Sequence, residues 1–162
     1  MNNSGKNSEY NSILVLPNTL DSLTASRVYA EELAKKAGLK PIDCAKICLA
    51  LEEAILNVIT HSFGNYERAT YEIVFRITES FFSMTVRDNG IPFHPEDTAP
   101  KCDYMHGNMD EYPDSGLGFA IMRNSVDQVI VRNHPAGKEL YLIKYLPLVK
   151  DTIPGIWVTG KQ

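Results

Sequence analysis

The stretch Leu51-Glu-Glu-Ala-Ile-Leu-Asn-Val-Ile-Thr-His-Ser62 decides how the rest of the chain is read. On a helical wheel at about 100° per residue, Cys44, Ile47, Cys48, Leu51, Ile55, Val58 and Ile59 share one face. Glu53, Asn57 and His61 share the opposite face, each one turn after the last. Side chains four apart on a helix lie about 5–6 Å from each other. A carboxylate, a carboxamide and an imidazole therefore stand in a row on a helix otherwise built for a core. Ala50, Ala54 and Leu56 lie within or beside that row, which argues against full solvation. A polar face opposite an apolar stripe is also what any amphipathic helix carries. The row gains weight only from what lies downstream.

Composition narrows the classes. The 162 residues suffice for one domain with a real core. Hydrophobic residues at 44% and charged residues at 22% are ordinary for a soluble globular chain. A net charge of −4 without a Lys/Arg cluster argues against a nucleic-acid surface. No apolar run is long enough for a bilayer and the first residues lack a signal peptide's apolar segment, so no membrane partner and a cytoplasmic location are expected. Three cysteines, an odd count without zinc-like spacing, argue against a disulfide framework. Cys44 and Cys48, on the apolar stripe, read as small buried hydrophobes.

Outward from the central helix the elements follow by pattern. Residues 1–11 are rich in Asn and Ser and are expected to be disordered. Ile13-Leu-Val-Leu16 reads as a strand. A helix capped by Asp21 or Ser22 runs to Lys36 and stops at Gly38. Pro41 suits the first turn of the helix that carries the row, which ends near Phe63-Gly64-Asn65. Tyr71 to Thr78 and Phe81 to Arg87 alternate, with Ile73, Phe75 and Ile77 on one face and Phe82, Met84 and Val86 on one face. They predict an antiparallel, half-buried hairpin that ends at Asp88-Asn-Gly-Ile-Pro-Phe93. From His94 to Asp114 no period is visible, which suits a functional lid or a disordered loop. A third helix spans Phe119 to about Val126, and a second hairpin joins Gln128–Arg132 to Glu139–Tyr145. The expected organisation is one domain over residues 12–147, with a tail from 148 to 162. The fold class is α+β: a two-layer sandwich of a mixed, mostly antiparallel sheet with three helices on one face.

Three clusters can meet at one ligand. They are the Glu53–Asn57–His61 row, Asp88-Asn-Gly90 at a strand end, and Ser115-Gly-Leu-Gly118 at a helix start. Glycines at a helix start let backbone N–H groups approach a phosphate, and the helix dipole favours the charge. Asp-Asn-Gly is by itself most often a turn, but a buried carboxylate there can accept from an exocyclic amine. The conjunction, with a long loop between the last two clusters, is far more specific than any part.

In these motifs the sequence resembles the GHKL group of ATP-binding domains, which includes histidine kinases, Hsp90 and type II topoisomerases. It is most similar to the bacterial anti-sigma factor serine kinases of the general-stress and sporulation type. The resemblance runs from about Ile13 to Leu146 and implies the histidine kinase-like, or Bergerat, ATPase fold. It implies that Asn57 holds Mg²⁺, that Asp88 accepts from the adenine amino group, and that Gly90 keeps the approach open. Pro92 and Phe93 follow that box. Ser115, Gly116, Leu117 and Gly118 wrap the phosphates, and Glu53 acts as general base or orients the attacking hydroxyl. His61 either lies near the nucleotide or packs. The implied activity is ATP-dependent phosphorylation of a serine on an anti-sigma factor antagonist, together with capture of a sigma factor. The alternative is a nucleotide-gated binding module with little or no kinase activity. A homodimer is expected as in the relatives, and the unpaired edge of the first strand agrees with it. The chain departs from the family pattern at Pro92, where a second glycine is frequent, and at Asp114, where a basic residue is frequent. It departs again at Lys138 and Glu139, where a Thr often helps hold adenine.

Overall fold

The computed structural model describes residues 9–63, 69–91 and 117–147. Five strands form one sheet: β1 (Tyr10–Pro17), β2 (Thr70–Ile77), β3 (Phe81–Asp88), β4 (Gln128–His134) and β5 (Gly137–Tyr145). Their order is β1-β2-β3-β5-β4, and all four ladders are antiparallel. Helices α1 (Ser22–Lys36), α2 (Pro41–Asn57) and α3 (Leu117–Ser125) complete the expected α+β sandwich. β1 begins at Tyr10, earlier than Ile13, because Tyr10 and Asn11 continue the ladder opposite Ile77 and Arg76. The second hairpin turns more tightly than expected, since Asn133 and His134 stay paired with Lys138 and Gly137.

Local chemistry explains the helix boundaries. α1 ends in a Schellman motif: Gly38 takes φ +83°, its N–H donates to the Lys35 carbonyl at 2.9 Å, and the Leu39 N–H reaches back to Ala34 at 3.1 Å. Leu39 then folds into the core. Lys40 is extended at ψ 154°, as a residue before proline must be, and Pro41 opens α2. The Ser22 hydroxyl donates to the Thr19 carbonyl at 2.7 Å and pairs with the Tyr71 hydroxyl at 2.6 Å, so the start of α1 is tied to β2.

The core lies between the helices and one sheet face. Cys44, Ile47, Cys48, Leu51, Ile55 and Val58 of the central stripe are buried, and Ile59 partly so. Against them pack Ile73, Phe75, Ile77, Phe82, Met84 and Val86, the faces read from the alternation. β3 is buried on both faces rather than half-buried: Ser83 and Thr85, on the other face, are only 8% and 6% exposed. They are small side chains in a central strand, flanked across the ladders by Arg76 and Ile143 and by Val74 and Tyr141.

Past Asn57 the helix widens into a π-turn, Val58–Ser62. Thr60 donates its hydroxyl to the Leu56 carbonyl at 2.7 Å, a back-bond that bends helices. The turn aims the Ser62 carbonyl at the end of β3, where the Ile91 N–H donates to it at 2.8 Å. This junction positions the site.

Candidate functional site

Asp88, the last residue of β3, is 4% exposed. Its Oδ1 accepts from the Gly90 N–H at 2.8 Å, an Asx-type turn that holds the carboxylate inward. Its Oδ2 has no hydrogen-bond partner among the described residues. Among the described residues the closest cation is Lys138, its ladder partner on β5, with Nζ 3.7 Å from Oδ2. Lys138 also donates to the Ile91 carbonyl at 3.3 Å. Burial pushes the Asp88 carboxyl above its ordinary pKa, against the pull of the Lys138 charge, the Gly90 N–H and the Ser62 hydroxyl. Burial likewise pushes Lys138 below its ordinary value, against the pull of Asp88.

Two glycines make this arrangement possible. A Cβ on Gly90 would stand 2.2 Å from the Ser62 carbonyl oxygen, so the end of the helix and the end of β3 approach through bare backbone. Gly137 has φ +139°, and a Cβ there would stand 2.0 Å from the Asp88 carbonyl oxygen. The β4–β5 turn thus lies directly on Asp88 and delivers Lys138 beside it.

Asp88, Lys138 and Asn57 line one slot, with Ala54, Val58, Val86, Val131 and Leu140 as its apolar walls. The slot holds about 10 Å³, room for roughly one water. A larger guest requires the walls to part. Glu53 stands one turn before Asn57 and is half-buried. Burial, then the neighbouring charge of Glu52, raises its pKa. A Cβ on Gly118 would meet Glu53 Oε2 at 2.6 Å, so the carboxylate rests on the first turn of α3.

The sequence row is therefore only partly a site. Asn57 and Asp88 share the slot, Gly90 adjoins it, and Glu53 meets Gly118. Leu117 opens α3 and is 53% exposed. His61 is exposed and lines no part of the slot. The π-turn breaks the 3.6-residue period and carries it out of line. Pro92, Phe93, Ser115 and Gly116, with Asp114 and Lys101 of the loop, lie outside the described residues. Lys138 was visible in the sequence only as a departure from the family pattern. Its parity with the inward Leu140 and Leu142 was the signal that it faces the interior.

The sequence profile described as "Histidine kinase-like ATPase domain" matches residues 16–144. The chain belongs to the histidine kinase-like ATPase family. Among similar proteins are the anti-sigma F factors of Bacillus thuringiensis (strain Al Hakam) and Bacillus anthracis (strain A0248), each 33% identical over 106 residues. These matches cover 64% of this chain and 70% of each relative. The RsbU and RsbW domains of a Mycobacterium tuberculosis protein share the fold, with a TM-score of 0.61 at 15% identity. That likeness covers 85% of this chain and 33% of the solved one. Among the described residues of this ATPase-family domain, no helix is long and apolar enough to cross a membrane. Nor do they contain a group of three or more His, Cys, Asp or Glu side chains that could hold a metal.

Proposed function

We propose that this domain is an ATP-dependent serine-protein kinase of the anti-sigma factor type, acting on an anti-sigma factor antagonist and also holding a sigma factor. The observation that carries the nucleotide reading is Asp88 Oδ2: a buried acceptor on the floor of an apolar slot, whose ion-pair partner Lys138 stands 3.7 Å away, beyond hydrogen-bond distance. Such an oxygen costs free energy until a donor meets it, and the exocyclic amine of adenine is a donor that apolar walls admit. The likeness to anti-sigma F factors supports the sigma-factor partner; the antagonist is part of the same proposal. A homodimer is part of the same reading.

The donor set fits Mg²⁺ as well. Mg²⁺ usually keeps several waters and binds through one or two carboxylates plus substrate phosphates rather than in an all-protein cage; here Asn57 would offer a carboxamide oxygen in the carboxylate's place. Bound MgATP would supply the phosphoryl group, with the metal neutralising charge on the phosphates. The chain's own part is positional. Asp88 would orient the base, and Asn57 would hold the metal through its carboxamide oxygen. The backbone of Leu117 and Gly118, at the start of α3, would meet the phosphates. Glu53, whose pKa burial has raised, accepts the proton of the incoming serine hydroxyl.

A second reading, a nucleotide-gated binding module with little catalysis, is favoured by one contact. The Glu53 carboxylate rests on Gly118, so part of its role is to seat α3. Phosphotransfer from labelled ATP to candidate antagonists, paired with calorimetry, separates the two. For the kinase, Glu53→Ala binds ATP normally and transfers about 10²–10⁴-fold more slowly, whereas Asn57→Ala loses Mg²⁺-dependent binding. For the module, wild type binds ATP and transfers nothing. If ATP does not bind at all, both readings fall.

A further inference from the structure

Lys138, which pairs with Asp88 and donates to the Ile91 carbonyl, is 6% exposed and lines the same slot. On the nucleotide reading above, we propose that Lys138 is a base-specificity residue. With Asp88 it forms a donor–acceptor template that takes 6-oxopurine nucleotides as well as adenine nucleotides.

The argument is one of hydrogen-bond inventory. An ionised carboxylate only accepts, and an ammonium only donates. Here the two tips stand 3.7 Å apart, both buried and both aimed at one apolar slot. The β3–β5 ladder holds their backbones opposite each other, and Gly137 fixes the turn that starts β5 on the Asp88 carbonyl. Adenine presents an amine donor at position 6 beside an acceptor at N1. A 6-oxopurine presents a carbonyl acceptor at position 6 beside an N1–H donor. Each edge offers one donor and one acceptor side by side. A slot with a carboxylate alone reads the amine and repels the carbonyl oxygen. Adding a cationic donor removes that discrimination, because the ammonium meets O6 through a charge-assisted bond while Asp88 accepts from N1–H. The apolar walls of Ala54, Val58, Val86, Val131 and Leu140 lower the local dielectric around both bonds, which strengthens them.

The test is displacement of a fluorescent ATP analogue from the full chain by ATP and by inosine triphosphate, with Mg²⁺ present. Wild type is expected to bind inosine triphosphate within about tenfold of ATP, a gap of no more than one charge-assisted hydrogen bond. Lys138→Gln is expected to weaken inosine triphosphate at least about tenfold more than ATP. Lys138→Arg, which keeps a cationic donor, is expected to preserve the wild-type ratio. A wild type that binds ATP but rejects inosine triphosphate by more than about a hundredfold overturns the inference. So does a Lys138→Gln variant that weakens both nucleotides by the same factor. The wild-type ratio needs no variant, so it decides the matter even if Lys138→Gln fails to fold. Failure of the analogue and of ATP to bind wild type removes the nucleotide reading itself. ATP binding with the wrong ratio removes only the role of Lys138.

Discussion

Gly90→Ala puts the junction between the helix end and β3 to a direct test. The added Cβ would stand 2.2 Å from the Ser62 carbonyl oxygen and 2.6 Å from both the Ser62 carbonyl carbon and its Cβ. Two of those three atoms are backbone, so no side chain can swing away and the strand end must move. Overpacking of this kind costs about 1–3 kcal/mol. Movement also breaks the 2.8 Å bond from the Ile91 N–H to the Ser62 carbonyl, worth about 0.5–1.5 kcal/mol. The sum is about 2–4 kcal/mol. At about 2–4 °C per kcal/mol for a domain of this size, the melting temperature falls by about 5–15 °C. Nucleotide affinity falls with it, because the Gly90 N–H anchors Asp88 Oδ1 at 2.8 Å. Gly38→Ala is the control: its Cβ meets nothing within 4 Å, and only the φ of +83° resists it. That variant is expected to cost about 1–2 kcal/mol and to leave nucleotide binding alone. Thermal melts by circular dichroism and titration calorimetry read both quantities. If Gly90→Ala melts within a degree or two of wild type, the helix end and β3 do not meet as described.

Other expectations concern single groups. Asp88→Asn removes the charge-assisted acceptor and is expected to weaken ATP by about 1.5–3 kcal/mol; an unchanged dissociation constant in calorimetry takes Asp88 out of the site. Burial raises the Glu53 pKa on folding, so the folded chain holds that proton more tightly than the unfolded chain. The stability this contributes is full below the ordinary carboxylate range and lost as pH rises through the raised value. Glu53→Gln is therefore expected to melt above wild type at pH 7 and to converge with it in acid, and the opposite pH trend would contradict the burial of that carboxyl. Cys48 is 3% exposed, and burial pushes its thiol up to about 11. Iodoacetamide at neutral pH should leave it unmodified until denaturant is added, as peptide mass spectrometry will report.

What could be read from the sequence was set by near neighbours. The Gly38 stop, the Pro41 start, the apolar stripe of α2 and the alternating faces of β2 and β3 each follow from residues a few positions apart, because helix and strand periods are local properties. Asp88, Gly90 and the family resemblance were legible for the same reason: each motif is short and contiguous. The tertiary structure decided what depends on chain segments meeting. The π-turn takes His61 out of a row that a regular helix would have kept, and its Ser62 carbonyl finds a donor only at Ile91. β3 is buried on both faces because it lies in mid-sheet with bulkier neighbours across both ladders. Glu53 reaches Gly118, and Lys138 faces Asp88, across stretches of chain far longer than any helix or strand period. No local period encodes cross-strand register or helix docking. They are set by which pairing buries the most apolar surface while leaving the fewest polar groups unmet, and that is a property of the whole fold.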